Sequence, residues 1–244
     1  MRRAFAFLTV IGPGRARRAA PPTPGTLRWF PLVGASIGAV VGATWWGAGR
    51  LWPPLVAAGL AVTADLVLTG LLHVDGLADS ADGLLPPLPR DRRLEVMATP
   101  DVGAFGVAVV AVVLILRSAA LAGRAPSILL VAGLWCGART LMVGAVTILP
   151  YARGEGGLVA AFRGDGGGPV ARAAPIVAGT AAAAVLAALG AGPAGALAAG
   201  VGLLGGIAVL AGAQRRIGGY TGDVLGAAGI IAESTGLLIA AARW

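Results

Sequence analysis

Long runs of apolar residues, separated by polar segments of very unequal length, dominate the chain. A helix needs about 20 apolar residues to cross the roughly 30 Å hydrocarbon core of a bilayer. Seven runs approach that length: Trp29–Gly49, Leu51–Leu72, Ala104–Gly123, Pro126–Leu149, Ala173–Ala191, Ala194–Ala213 and Val224–Ala242. Because the runs are continuous and do not alternate, they predict helices and disfavour a strand barrel. We expect an all-α, polytopic integral membrane protein with about seven transmembrane helices, forming a single domain over residues 1–244.

The composition agrees with a membrane protein, and the distribution of arginines explains the net charge. Hydrophobic residues make up 57% of the chain and charged residues 12%, about half the charged share of a soluble domain, which excludes a disordered chain and disfavours a soluble enzyme. The net charge of +8 could indicate nucleic-acid binding, but fourteen of the nineteen basic residues, all arginines, lie in the four longer polar segments, 1–28, 73–103, 150–172 and 214–223. Seven spans put these segments on one side, which the positive-inside rule makes cytoplasmic. We therefore expect a lipid bilayer as partner and no nucleic acid.

Two kinds of residue inside the runs predict helix contacts. Asp65 and Arg139 lie within predicted spans, where a charge is costly and needs a partner. They could pair with each other, or each could line a polar cavity. Gly34, Gly38 and Gly42 have the four-residue spacing that lets helices approach closely, although a glycine-rich composition also produces such spacing by chance.

A cluster of carboxylates is the strongest chemical signal. Asp75, Asp79 and Asp82 have the spacing i, i+4, i+7, which places them on one face of a helix. A divalent cation would relieve their repulsion, and hard oxygen ligands favour Mg²⁺ or Mn²⁺ over zinc. The alternative is a solvated loop whose aspartates cap a helix.

Basic and acidic residues recur in the neighbouring polar segments. Arginines 90, 92 and 93 follow the acidic cluster; they could bind phosphate or simply anchor the loop on the cytoplasmic side. Tyr151 and Arg153 open the next segment, and Asp223 closes the last one. Three loops with acids and arginines at one membrane face suit a metal and phosphate site.

The stretch from Thr69 to Gly83, which contains His73 and the three aspartates, resembles the signature of the cobalamin synthase (adenosylcobinamide-GDP ribazoletransferase) family. Five further segments resemble the same family in the same order: Trp29–Gly34, Arg93–Met97, Gly103–Gly106, Pro150–Arg153 and Gly219–Asp223.

The resemblance implies a Mg²⁺-dependent transferase of the bacterial cytoplasmic (inner) membrane, with catalytic loops facing the cytoplasm. It implies that adenosylcobinamide-GDP reacts with α-ribazole, or its 5′-phosphate, to give adenosylcobalamin, or its 5′-phosphate, and GMP. This is the last assembly step of the nucleotide loop of vitamin B12. On this hypothesis Asp75, Asp79 and Asp82 hold Mg²⁺, and His73 or an aspartate accepts the hydroxyl proton. The predicted substrate-binding residues are Arg92, Arg93, Arg139, Tyr151, Arg153 and Asp223.

Two other functions stay open, and so does the oligomeric state. A membrane phosphotransferase of the CDP-alcohol type also uses aspartates at a membrane face, but Asp79 stands where that pattern has an arginine. A transporter would gather its charges near the bilayer midplane, whereas most acids here lie in the loops. The chain could also form a homo-oligomer.

Overall fold

The computed structural model describes residues 1–10, 23–154 and 168–243. Helices account for its regular structure, and no β-strand occurs in these ranges. After a 3₁₀ helix is set apart at Pro24–Trp29, the α-helices are α1 (Arg2–Leu8), α2 (Phe30–Ala48), α3 (Pro54–Thr69), α4 (Leu72–Leu84), α5 (Arg90–Val96), α6 (Ala104–Ala122), α7 (Ile128–Ile148), α8 (Pro169–Ile217) and α9 (Gly222–Ala241). The all-α, membrane-spanning class expected from the sequence is confirmed.

The count of spans depends on how bent helices are treated. Within the described residues, five helices are long and apolar enough to cross a membrane, and α3 with α4 makes a sixth candidate across a 90° bend. Helix α8 has 49 residues, a length of roughly 70 Å if it were straight, over twice the bilayer core. Seven spans would require counting the two halves of α8 separately, so the predicted number stays a prediction.

Helix α8 is in fact interrupted where the sequence predicts a turn between two spans. The backbone leaves helical geometry at Ala191 and at Gly192, where φ is 63° and ψ is −153°, a conformation open essentially only to glycine. A Cβ on Gly137 of α7 would lie 3.4 Å from Ala183 and 3.6 Å from Leu203. Because those two residues are twenty positions apart but flank one glycine, the halves of α8 must run back along each other.

Glycines set the distance between α2 and α7. An added Cβ at Gly38 would lie 2.8 Å from the Cα of Ala132, and one at Gly42 would lie 2.8 Å from the Cα of Ile128. Gly34 faces the Trp135 backbone of the same helix. The structure thus uses the predicted stripe for close helix packing, where any side chain would force the backbones apart.

Contacts between helix ends sort the loops onto two ends of the bundle. At one end Ser127 Oγ donates to Gly190 O at 2.8 Å, and Arg124 donates to Ala240 O at 2.9 Å. At the other end the backbone of Tyr151 pairs with that of Tyr220. We call this second end, where α6 and α9 begin, the polar end. The polar segments around α4 and α5, after α7 and after α8 meet there, as the sequence predicts; that this end faces the cytoplasm stays a prediction.

Helix α4 is bent by 90° from α3 and lies at the polar end of the bundle. Gly70 ends α3 with φ of 59°, and Leu71 follows with φ of 63°; two left-handed residues in succession turn the chain sharply. Leu77 then packs inward between α6 and α9, in a buried cluster with Val113, Ala227 and Ile230. One face of α4 is therefore anchored in the bundle, and the opposite face is left for the polar residues.

A buried network of four charges links the spans. Arg117 of α6 donates to Asp65 of α3 at 3.0 Å and to Glu233 of α9 at 3.1 Å. Arg139 of α7 also pairs with Glu233, and Trp135 Nε1 donates to Asp65 at 2.9 Å. Each charge has a partner, as expected, but of the two alternatives left open by the sequence the direct pairing of Asp65 with Arg139 is not found: Asp65 pairs with Arg117, and Arg139 pairs with Glu233. Two guanidinium groups balance two carboxylates, as charges in a membrane interior require.

Candidate functional site

The three aspartates of α4 share one helix, as predicted, but they differ in exposure. Asp75 is exposed, Asp79 is partly buried and Asp82 is buried. The Asp82 carboxylate accepts hydrogen bonds from the N–H groups of Gly103, at 2.7 Å, and Gly106, at 2.9 Å.

These two hydrogen bonds make Asp82 the cap of α6. Helix α6 begins after Gly103, which has no side chain to cap its own helix, so a carboxylate from α4 satisfies the free N–H groups. A Cβ on either Gly103 or Gly106 would come within 2.5 Å of that carboxylate. The predicted role of Asp82 as a metal ligand stays a prediction, whereas its contacts tie α4 to α6.

Asp223 lies close to α4 because Gly76 of that helix has no side chain. The backbone of Asp223 lies against Gly76, where an added Cβ would be 2.9 Å from the Asp223 Cα. The pKa of the neighbouring Asp79 is raised from 3.8 to about 6, first by burial and then by the negative charges of Asp223 and Asp75. The positive charge of Arg153 opposes this rise. The first turn of α9 therefore adds a carboxylate to the pair on α4.

Arg153 provides the positive charge of the same site. Its guanidinium donates to Asp223 at 2.9 Å and to the carbonyl of Met97 at 3.1 Å. Thr221 Oγ1 lies 3.2 Å from the same carboxylate oxygen and accepts from the N–H of Val224, so it caps α9. Among the described residues of the site, Arg153 is the one arginine near the carboxylates of Asp75, Asp79 and Asp223, so these residues together carry an excess of negative charge.

A short backbone bridge holds the segments that carry Arg153 and Asp223. Ala152 N donates to Tyr220 O at 2.9 Å, and Tyr220 N donates to Pro150 O at 3.0 Å. The rings of Tyr151 and Tyr220 meet edge to face with centroids 5.5 Å apart, and burial raises the pKa of Tyr151. Tyr151 supports the bridge from beneath the site, with little of its side chain exposed.

The other predicted site residues lie apart from this group. Arg93 is buried and donates to Gly83 O at 2.9 Å and Leu84 O at 2.7 Å, so it neutralises the carboxyl end of α4. Arg92 is exposed and pairs with Glu95 at 2.8 Å. Arg139 belongs to the buried network. Four of the fourteen arginines counted in the long polar segments, Arg15, Arg17, Arg18 and Arg163, lie outside the described residues.

His73 is turned into the bundle. Its side chain is 4% exposed, and its backbone packs against Gly226, one turn into α9. Burial, together with the positive charges of Arg139 and Arg117, lowers the pKa of His73 well below its usual value. An imidazole that resists protonation in this way is a poor acceptor for a substrate proton.

The site can offer oxygen ligands to a cation, but no complete cage is present. Among the described residues, no three His, Cys, Asp or Glu side chains are gathered closely enough to hold a metal by themselves. Mg²⁺ needs only one or two carboxylates, because it keeps several waters and binds substrate phosphates. The chemistry of Asp75, Asp79 and Asp223 fits such a cation, since their mutual repulsion is relieved only in part by Arg153.

Sequence reasoning missed Glu233 and the caps formed by Asp82 and Thr221. A lone acid inside an apolar run was the available signal for Glu233. The glycines at 103 and 106 matched a motif, but their partner lies twenty-one and twenty-four residues away.

Comparisons with known proteins agree on one family. A family model described as cobalamin-5-phosphate synthase matches residues 1–241. A relative from Chlorobaculum tepidum, named adenosylcobinamide-GDP ribazoletransferase, is 37% identical over 219 residues, 88% of this chain and 85% of the relative. One of the same name from Bradyrhizobium diazoefficiens is 34% identical over 247 residues, 99% of this chain and 93% of the relative. Another, from a Roseiflexus species, is 40% identical over 121 residues, 49% of this chain and 45% of the relative. No solved structure matches the chain.

Proposed function

Because the chain belongs to the cobalamin-5-phosphate synthase family, we propose that it is a membrane-embedded adenosylcobinamide-GDP ribazoletransferase. Its substrates are adenosylcobinamide-GDP and α-ribazole or the 5′-phosphate of α-ribazole, and GMP is the second product. The observation that carries the proposal is the meeting of Asp79, Asp223 and Arg153, from three separate segments, at the polar end of the bundle. Membership of this family leaves the CDP-alcohol-type phosphotransferase and the transporter without support.

The reaction exchanges one bond to phosphorus for another. The oxygen of a ribazole hydroxyl bonds to the phosphorus attached to cobinamide, and the bond from that phosphorus to the GMP oxygen breaks. The hydroxyl proton passes to a carboxylate of the site, and GMP leaves as a phosphate monoester. Negative charge therefore builds on the phosphoryl oxygens and on the leaving group, and it is this charge that the site has to stabilise.

We propose Mg²⁺ as the cofactor, held by one or two of the carboxylates of Asp75, Asp79 and Asp223 together with water and the substrate diphosphate. When bound, a divalent cation neutralises charge on the diphosphate and orients the phosphoryl group. Asp82 is less suited to this task, because its carboxylate already accepts two N–H groups. The sequence predicts Asp82 as a ligand beside Asp75 and Asp79; we propose Asp223 in its place, because Asp223 lies near Asp79 and its carboxylate accepts no backbone N–H group among the described residues.

Arg153 would bind the phosphate oxygens. Its side chain is 33% exposed although it pairs with Asp223, so a substrate phosphate can reach the guanidinium. A guanidinium matches phosphate geometry through two parallel N–H groups. Among the proton acceptors proposed from the sequence, Asp75 and Asp79 are better placed than His73, because they are at least partly exposed whereas His73 is buried.

We propose that the protein lies in the bacterial inner membrane with its polar end facing the cytoplasm. The support is the excess of arginines in the loops of that end. The substrates would then reach the site from the cytoplasm, where nucleotides are found.

The test is GMP release by purified protein in proteoliposomes supplied with adenosylcobinamide-GDP. We expect release to require α-ribazole or its phosphate and a divalent cation. Asp79→Asn should abolish most of it, while the exposed Asp91→Asn on α5 serves as the control. No ribazole-dependent GMP would overturn the proposed reaction, and near-normal release by Asp79→Asn with unchanged Mg²⁺ dependence would overturn the metal assignment. Transfer to lipid alcohols would instead revive the CDP-alcohol alternative.

A further inference from the structure

The short helix α5 has contacts that the proposed chemistry does not use. Arg90, its first residue, donates from Nε to the carbonyl of Ile217 at 2.9 Å and from Nη2 to the carbonyl of Ala152 at 3.1 Å. These acceptors are 127 and 62 residues away along the chain. One lies at the start of the loop that carries Asp223, and the other is next to Arg153.

Both acceptors suit a guanidinium group. Ile217 is the last residue of α8, so its carbonyl has no partner within the helix, and a positive charge near it complements the helix dipole. Gly218 then turns the chain away with φ of 78°. The planar fork of arginine holds two acceptors in different directions, whereas lysine offers a compact point charge.

The rest of α5 adds further hydrogen bonds around the site, and we call the contacts of Arg90, Arg93 and Met97 together the α5 bracket. Arg93 binds the last carbonyls of α4, which carries Asp79. Just beyond α5, the carbonyl of Met97 accepts from Arg153. Helix α5 and the residue after it are therefore hydrogen-bonded to α4, to the segment of Arg153 and to the end of α8, from which the Asp223 loop leaves.

We propose that Arg90 is a positioning residue, which fixes Arg153 and Asp223 relative to the carboxylates of α4. From the sequence, phosphate binding and anchoring on the cytoplasmic side were both open for this arginine. Its Nε and Nη2 are instead committed to backbone carbonyls, and the third contact, between Nη1 and Asp91 at 3.4 Å, is exposed. The kinetic part of this inference rests on the proposed function, but the structural part does not.

The structural part is tested by amide hydrogen exchange in the full-length protein without substrate. In Arg90→Gln, the amides of Ala152 and Tyr220, which form the bridge, should exchange about tenfold faster than in the wild type, because local opening becomes easier. Arg90→Lys should show most of this effect. Arg215→Gln removes an exposed arginine near the same end of α8, which forms no hydrogen bond or ion pair with the described residues, and should leave both amides unchanged. Unchanged exchange in Arg90→Gln would overturn the α5 bracket.

The kinetic part separates positioning from phosphate binding. Positioning predicts that Arg90→Lys lowers kcat by about tenfold or more, since small displacements of catalytic groups are costly, and raises the Mg²⁺ concentration for half-maximal activity. The KM for α-ribazole should change little. A raised KM for adenosylcobinamide-GDP with unchanged kcat and Mg²⁺ dependence would instead show that Arg90 binds the substrate phosphate, and near-wild-type kcat in Arg90→Lys would refute the need for the planar fork. If the proposed function is wrong, neither the wild type nor any variant will release GMP. The hydrogen-exchange experiment will still test the structural role of Arg90, because it needs no substrate.

Discussion

Replacing Asp82 by asparagine tests whether the buried carboxylate is a helix cap or a metal ligand. The carboxylate accepts two backbone N–H groups, at 2.7 and 2.9 Å. An asparagine keeps one acceptor oxygen but turns an NH₂ group toward the second N–H, which is then buried without a partner. A hydrogen bond to a charged group contributes about 1.5–3 kcal/mol, so we expect Asp82→Asn to lower the free energy of unfolding by about 2 kcal/mol.

The assay is thermal unfolding in detergent without divalent cations, followed by Mg²⁺ titration of GMP release. For a chain of this size, a loss of about 2 kcal/mol corresponds to a fall in Tm of roughly 4–8 °C. Gly106→Ala should be destabilising for the same reason, because its Cβ would lie 2.5 Å from the Asp82 carboxylate. The Mg²⁺ concentration for half-maximal activity should stay near the wild-type value in Asp82→Asn and shift in Asp79→Asn. If Asp82→Asn unfolds like the wild type and needs more Mg²⁺, the cap is unimportant and Asp82 is a ligand.

Three further predictions follow from burial and charge. Glu233→Gln leaves two buried arginines with one carboxylate, and the loss of a buried partner should cost about 3–5 kcal/mol, measured as loss of folded protein in the membrane fraction; a wild-type yield and Tm would refute the network. In Mg²⁺-free protein, Asp79→Asn should be more stable than the wild type, because a carboxyl whose pKa is raised from 3.8 to about 6 destabilises the fold when ionised. The difference should be absent below about pH 4 and complete above about pH 6, on the order of 1 kcal/mol after solvent screening; a stability difference that grows as the pH falls would contradict it. In a Cys136→Ser background, a thiol reagent confined to the periplasm should label Arg50→Cys but not Arg215→Cys, and the reverse pattern would invert the proposed orientation.

The spans could be predicted closely because hydrophobic length is local information. The run predicted at Ala104–Gly123 became α6 at Ala104–Ala122, and Trp29–Gly49 contains α2 at Phe30–Ala48. The turn predicted between Ala191 and Ala194 coincides with the break at Gly192. Each of these features depends on residues that are neighbours along the chain.

The use made of each charge could not be predicted in the same way. The spacing of Asp75, Asp79 and Asp82 places them on one helical face, but only the approach of α6 gives Asp82 two N–H groups to accept from. Arg93 looks like a phosphate ligand in sequence, and in the fold it binds the carboxyl end of α4. These charged side chains bind the backbone groups left free at the ends of other helices, and how distant helices pack decides which of those groups lie within reach.

The sequence by itself determined the membrane class and the positions of the long apolar helices, because length and apolar content are properties of the linear chain. Tertiary structure decided that Asp223 joins Asp79 across the contact at Gly76, and that Arg117 and Glu233 complete the buried network. These outcomes depend on which backbones can approach one another, and in this chain glycines on separate helices set those distances.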